Sequence, residues 1–262
     1  MGTYPHGLFT YTDLGVPDQE AGERFYSRLF GWSFERQPMG EGLFYTSFFL
    51  DGDTVCGLYP ERPEQRAVRE QFEAPPMWMS YITVDNVDLV VATVPALGGR
   101  VLAEPFDVFT SGRMAAISDP EGAAVALWQE GESPGGTVFN MPGSMTWNEL
   151  ATRNAPAAME FYEKLLGWKY ESQTEPVTYH SIKVGERVNG GMIEMTEEWP
   201  DSIPAHWMVY FGASDVDAAV VSVESLGGSI SVPPTDIMPG RFAVVHDDQG
   251  SIFTLITLNE WL

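Results

Sequence analysis

The chain has a single cysteine, Cys56, in 262 residues. That excludes an internal disulfide and any cysteine-built zinc knuckle. Lysine and arginine are also scarce, 14 against 37 aspartates and glutamates, for a net charge of −23. Phosphate backbones and anionic lipid surfaces are held by clustered cations, so neither nucleic acid nor a membrane is an expected partner. No stretch approaches the roughly 18 apolar residues of a membrane-spanning helix. Residues 1–8 lack a cationic segment followed by an apolar run, so they do not read as a signal peptide, and a cytoplasmic protein is expected. Only four histidines occur, His6, His180, His206 and His246, none at the spacing of a helical metal pair. No glycine-rich phosphate loop is present.

What the chain does have is apolar content, 44%, enough for sizeable cores, with charged residues at 19%. It also repeats itself. Phe25-Tyr26-Ser27-Arg28-Leu29-Phe30-Gly31-Trp32 returns as Phe161-Tyr162-Glu163-Lys164-Leu165-Leu166-Gly167-Trp168. Trp78-Met79-Ser80-Tyr81 returns as Trp207-Met208-Val209-Tyr210, Leu97-Gly98-Gly99 as Leu226-Gly227-Gly228, and Asp119 to Gly122 as Asp247 to Gly250. The order is kept and the offset drifts slowly, as loop insertions make it drift. Each half divides again. Helical stripes are read over 18–31, 86–98, 154–167 and 215–227, each opened by Asp or Asn as an N-cap and closed by glycine. A strand precedes each helix and strand-like runs follow it. The pattern predicts an α+β fold of four βαβββ units paired into two domains, 5–130 and 143–262, joined by a Gly- and Pro-rich linker. Each domain is expected to be an open eight-stranded cup with helices outside and a ligand site on its inner face.

Leu14-Gly15-Val16-Pro17-Asp18, Phe25-Tyr26, Leu29-Phe30-Gly31-Trp32 and Asp119-Pro120-Glu121-Gly122, with their second-half counterparts, resemble the vicinal-oxygen-chelate superfamily of glyoxalases, extradiol dioxygenases and bleomycin-resistance proteins. The chain looks closest to two-domain actinobacterial members of glyoxalase-like or hydroxylase type. The resemblance implies a divalent metal held by a His early in a unit's first strand and a Glu late in its last. In this sequence the His slots are Tyr11, Met79, Trp147 and Met208, and the Glu slots are Ala126 and Thr254. None is an imidazole or carboxylate, so no metal and no other cofactor is expected.

Strand alternation places other groups on the inner faces. The expected lining is Phe9, Tyr11, Asp13, Met79, Tyr81 and Trp128 in the first domain, and Trp147, Glu149, Met208, Tyr210 and Thr254 in the second. Aromatics alternating along a strand also occur where a face is simply packed core. Asp13 and Glu149 occupy equivalent positions and are the candidate catalytic carboxylates. Cys56 reads as a buried, inert thiol. The expected function is metal-free binding of a small hydrophobic or aromatic molecule, such as an antibiotic or biosynthetic intermediate, by a monomer or homodimer. Two alternatives stay open: a glyoxalase-like isomerase, hydroxylase or dioxygenase using a cup carboxylate or an unusual metal site, and a protein that serves only as a structural or regulatory partner.

Overall fold

The computed structural model describes residues 2–71, 75–175 and 177–261. The first half runs β1 (Phe9–Val16), α1 (Gln19–Phe30), β2 (Ser33–Gly40), β3 (Leu43–Leu50), β4 (Asp53–Pro60), α2 (Pro63–Gln71), β5 (Trp78–Thr83), α3 (Val87–Thr93), β6 (Arg100–Val108), β7 (Gly112–Ser118) and β8 (Ala124–Glu130). The second half runs β9 (Met145–Thr152), α4 (Ala155–Leu166), β10 (Lys169–Gln173), β11 (Tyr179–Val184), β12 (Arg187–Glu194), β13 (His206–Gly212), α5 (Val216–Ser225), β14 (Ser229–Ile237), β15 (Gly240–His246) and β16 (Ile252–Leu258). Two eight-stranded mixed sheets result, ordered β2-β3-β4-β1-β5-β8-β7-β6 and β10-β11-β12-β9-β13-β16-β15-β14. The second repeats the first strand for strand, as four βαβββ units require. No helix among the described residues is long and apolar enough to cross a membrane.

The helix boundaries follow from local chemistry. Asp18 accepts from the Ala21 amide at 3.0 Å, Asn86 from Leu89 at 2.9 Å, Asn154 from Ala157 at 3.2 Å and Asp215 from Ala218 at 3.0 Å. Each satisfies one amide that the first turn leaves without a helical partner. Gly31 and Gly167 close α1 and α4 in the left-handed conformation, at φ 75° and 73°, where a side chain would be strained. One expectation needs correction. The helix read over 86–98 stops at Thr93, and a separate 3₁₀ turn covers Pro95–Leu97. Pro95 has no amide to donate, so the α-helical ladder cannot run through it. The short α2 has no counterpart among the elements read from the sequence.

The chain divides into two compact units that cut across its halves. Unit I comprises Met1–Tyr11, Met79–Gly135 and Trp147–Met208, and unit II comprises Thr12–Trp78, Gly136–Thr146 and Val209–Leu262. Each takes one βαβββ module from each half. In unit II, α1 packs on α5, and in unit I, α4 packs on the 95–97 turn. The repeated Gly-Trp explains part of this arrangement. Trp32 donates its indole N–H to the Gly143 carbonyl at 2.7 Å within unit II. Trp168 donates to the Gly7 carbonyl at 2.8 Å within unit I. Each tryptophan thus ties one module to the segment that leads into a strand of the other half.

Both cores are aromatic. In unit II, Tyr26, Trp32, Phe48, Phe211 and Phe253 are all buried, with Phe211 edge-on to Trp78 at 5.0 Å. In unit I, Tyr162 stacks on Trp168 at 4.9 Å, and Trp207 meets Tyr162 at 5.6 Å. Fully buried rings of this size contribute more apolar area than any other side chain, so these clusters dominate the packing energy. Because successive strand residues point to opposite faces, the buried Phe211 and Phe253 send Tyr210 and Thr254 to the other face of their sheet.

Candidate functional site

The sheet face opposite the helices carries two kinds of residue, aromatics and a carboxylate. In unit II, Val16 and Leu58 lie against Gly22 of α1, which fixes the helix-facing side of β1 and β4. Asp13 is on the other side. It is 4% exposed, and Gly57 stands opposite it on the parallel neighbour β4. Tyr45 on β3 donates its hydroxyl to Asp13 Oδ2 at 3.1 Å. The Tyr45 ring is parallel to that of Tyr59, with centroids 6.4 Å apart and planes within 10°. Tyr59 in turn lies over Gly15, where a Cβ would sit 3.0 Å from the ring. Burial, and then the charge of Asp13, push the Tyr59 phenol well above its ordinary range, so it stays protonated.

Unit I holds the same arrangement with a longer acid. Glu149 on β9 stands opposite Gly191 on the parallel strand β12. Tyr179 on β11 donates to Glu149 Oε2 at 2.8 Å and accepts from Trp147 Nε1 at 2.9 Å. A Cβ at Gly191 would collide with the Tyr179 hydroxyl, so glycine is required for the phenol to reach the acid. Burial raises the Tyr179 phenol, and the Glu149 charge raises it further. Tyr45 and Tyr179 occupy equivalent repeat positions, as do Asp13 and Glu149. The tyrosines were absent from the residues picked out in the sequence, although the matched tracts around Tyr45-Thr46 and Tyr179-His180 carry the signal.

Four of the expected residues meet in a second cluster within unit I. Tyr11 stands edge-on to Tyr81 at 5.8 Å, and Tyr81 edge-on to Trp128 at 6.3 Å. Met79 and Met114 pack against them over Ala126, and Tyr81 Oη points to Met114 Sδ at 3.9 Å. Trp128 is anchored by donating to the Ser133 carbonyl at 3.0 Å. Tyr81 and Trp128 are buried, while Tyr11 and Met79 keep part of their surface. Phe9 goes elsewhere. Its ring packs on Trp168 at 5.6 Å and Trp207 at 5.0 Å, among the helix-side aromatics. Phe9 opens β1, where the ladder's alternation is only beginning. Tyr210 and Thr254 pair across β13 and β16 in unit II, and Thr254 Oγ1 is buried with no partner among the described residues. Met208, at the end of unit I, is half-buried. A hollow of about 370 Å³ lies elsewhere in unit II, between Phe30, Pro142, Asp215 and Ala218, and none of the expected lining residues borders it.

The positions where the resemblance implies metal ligands do not form a donor set. Tyr81 stands opposite Ala126, and Tyr210 opposite Thr254. Among the described residues no three of His, Cys, Asp and Glu converge as an ion would need. His6 Nδ1 accepts from the Asp85 amide, and His180, His206 and His246 bond Ser172, Pro204 and Gly250 respectively, each within its own neighbourhood. Cys56 is fully buried, and burial with the nearby Asp13 charge pushes its thiol well up, which leaves it a poor nucleophile.

Known proteins place this architecture. "Putative glyoxylase CFP32" of Mycobacterium tuberculosis is 38% identical over 257 residues, 97% of this chain and 95% of that protein. "Anthracycline biosynthesis protein DnrV" of Streptomyces peucetius is 34% identical over 273 residues, covering 99% and 96%. Among solved structures, the Mn(II)-bound glyoxalase from Novosphingobium aromaticivorans superposes with a TM-score of 0.66 at 16% identity, covering 98% of this chain and 84% of that one. The 2,3-dioxygenase LapB from Pseudomonas sp. KL28 gives 0.64 at 13%, covering 98% and 94%. The profile of the Glyoxalase/Bleomycin resistance protein/Dioxygenase superfamily matches twice, at residues 8–127 and 144–255, and the chain belongs to that superfamily.

Proposed function

We propose that this chain binds a planar hydrophobic molecule, of the aromatic polyketide kind, against its sheet faces without a metal ion. One observation carries the reading. At the same repeat position each sheet presents a carboxylate bonded by a tyrosine, Asp13 with Tyr45 and Glu149 with Tyr179, while the superfamily's metal slots hold aromatic, thioether, methyl and hydroxyl side chains. Flat rings such as Tyr11 and Trp147 are suited to stacking on a flat ligand, and Met79 and Met208 adapt to its outline. A relative at 34% identity is named for anthracycline biosynthesis, which supports this chemical class.

A ligand that binds only the folded chain stabilises it by about 2.7 kcal/mol at a hundredfold excess over Kd. Anthracyclines are therefore expected to raise the melting temperature and to quench Trp147 fluorescence. Trp147→Ala is expected to remove that quenching. If a panel of planar aromatics moves neither signal, the reading fails. A second reading is favoured by the 2.8 Å contact of the Tyr179 hydroxyl with Glu149, a phenol and carboxylate within proton-transfer reach. In it, Glu149 or Asp13 removes a proton from a bound substrate. It requires turnover of an anthracycline precursor that Glu149→Gln or Asp13→Asn abolishes.

A further inference from the structure

We propose that Phe109, in the connection between β6 and β7 of unit I, is a ligand-contacting ring. It is held clear of the fold so that a planar molecule closes against it beside the Tyr11–Tyr81–Trp128 cluster. This deepens the binding reading above, by placing the ligand at that cluster, and rests on it.

Phe109 has φ 47°. A Cβ is crowded in that region, and for a bulky residue it is an outlier that the surrounding structure must enforce. Asp51 and Asn140 also have positive φ, but their short polar side chains tolerate it. Packing does not offset the strain, because Phe109 is 74% exposed. Its neighbours enforce it. The Thr110 carbonyl accepts from the Glu132 amide at 2.9 Å, and the Ser111 carbonyl from the Gly131 and Ser133 amides at 2.9 and 3.0 Å. The Thr110 hydroxyl donates to Glu132 Oε2 at 2.6 Å. The Ser133 carbonyl in turn holds the Trp128 indole, so the tip is locked to the same segment that anchors Trp128. On either side of the tip, Val108 packs against the Tyr81–Trp128 cluster, and a Cβ at Gly112 would lie 2.5 Å from the Trp128 ring. Phe109 therefore stands at the edge of a cluster in which Tyr11 and Met79 keep part of their surface. The matching connection in unit II is one residue shorter, Met238-Pro239 against Phe109-Thr110-Ser111, and Met238, though 82% exposed, has no positive φ. An exposed ring held against its backbone preference serves a contact made outside the fold, and a ring face suits a flat ligand.

The experiment titrates two planar probes, 1,8-dihydroxyanthraquinone and doxorubicin, into the full chain by calorimetry, and follows urea unfolding of the same samples. Phe109→Gly removes the ring and relieves the strain, since glycine takes positive φ freely. It should bind at least one probe about tenfold more weakly, the loss of one stacked ring, while the urea midpoint is held or raised. Phe109→Leu keeps apolar bulk and strain without the ring, and should weaken binding with no rise in midpoint. Met238→Gly, which removes an equally exposed apolar side chain from unit II, should change the affinity of neither probe. Parent-like affinity in Phe109→Gly overturns the assignment of Phe109 and leaves the binding reading standing. A midpoint that falls together with the affinity also overturns it, because the ring then serves the fold. Failure of both probes to bind the parent chain overturns both.

Discussion

The two compact units carry the same turn, Asp119-Pro120-Glu121-Gly122 in unit I and Asp247-Asp248-Gln249-Gly250 in unit II, and finish it differently. Asp247 Oδ1 accepts from the Gln249 and Ser251 amides at 2.9 and 2.8 Å, and its Oδ2 accepts from the buried Tyr26 hydroxyl at 2.9 Å. Asp119 Oδ1 accepts from Glu121 and Ala123 at 3.0 and 2.9 Å, but its Oδ2 is buried without a partner among the described residues. Trp207 Nε1 donates to Tyr162 Oη at 2.9 Å, whereas Trp78 reaches Tyr26 at a looser 3.3 Å. Both tyrosines accept from a tryptophan, and among the described residues Tyr26 alone also donates to its aspartate. An unsatisfied buried oxygen costs about 1–3 kcal/mol, so the repeat has kept its packing while losing one polar contact. Burial accordingly raises the Asp119 carboxyl above its ordinary range.

The largest effect is expected from removing the hydroxyl that makes the difference. Tyr26→Phe leaves Asp247 Oδ2 buried and unbonded and should cost about 2–3 kcal/mol. Tyr162→Phe removes only the Trp207 acceptor and should cost about 1 kcal/mol. Urea midpoints at constant m-value measure both. Equal losses would mean that the two turns are energetically alike.

A smaller effect follows from the acids themselves. Asp247→Asn weakens a bonded carboxylate and should destabilise by about 1–2 kcal/mol. Asp119→Asn should be close to neutral, because it discharges a group that burial already penalises. The pH dependence has a definite sign. A carboxyl whose folded pKa is raised holds its proton more tightly in the folded state. Its cost is present above that pKa and is relieved as pH falls through it toward the unfolded value. Stability of the parent relative to Asp119→Asn should therefore improve from pH about 7 to about 4. A flat difference would contradict the account.

Next in size is Thr254, whose buried hydroxyl lacks a partner among the described residues where the other sheet has Ala126. Thr254→Val removes that burden at nearly constant volume and should stabilise by up to about 1 kcal/mol, read as a rise in melting temperature. The smallest effects belong to Arg113 and Arg241. Each forks between two acids, Asp88 and Asp107 in unit I, and Asp217 and Asp236 in unit II. These ion pairs are exposed, so alanine at either position should barely move the urea midpoint, and equally in both units.

Much of the architecture was legible because it is written in periodicities and caps. The Phe-Tyr and Gly-Trp repeats marked α1 and α4, and Asp18, Asn86, Asn154 and Asp215 marked the helix starts. The interruption at Pro95 was also present in the sequence but was passed over in favour of the longer apolar stripe. Alternation carried the faces of Tyr11, Asp13 and Glu149, yet it misled for Phe9, which leaves the pattern at the first residue of its strand. Tyr45 and Tyr179 were missed for a different reason. Their role depends on which strand lies two places away in the sheet, and strand order is not a local property. The same applies to the compact units. Nothing along the chain announces that Trp32 will bond Gly143 or that Trp168 will bond Gly7.

The central claim, ligand binding on a face without a metal donor set, is tested most directly by titrating an anthracycline into the chain before and after exhaustive dialysis against a chelator, followed by Trp147 fluorescence. Affinity unchanged by dialysis, and unchanged again on adding Mn(II) or Zn(II), is the predicted result. Binding that is lost with the chelator and restored by either ion would contradict it.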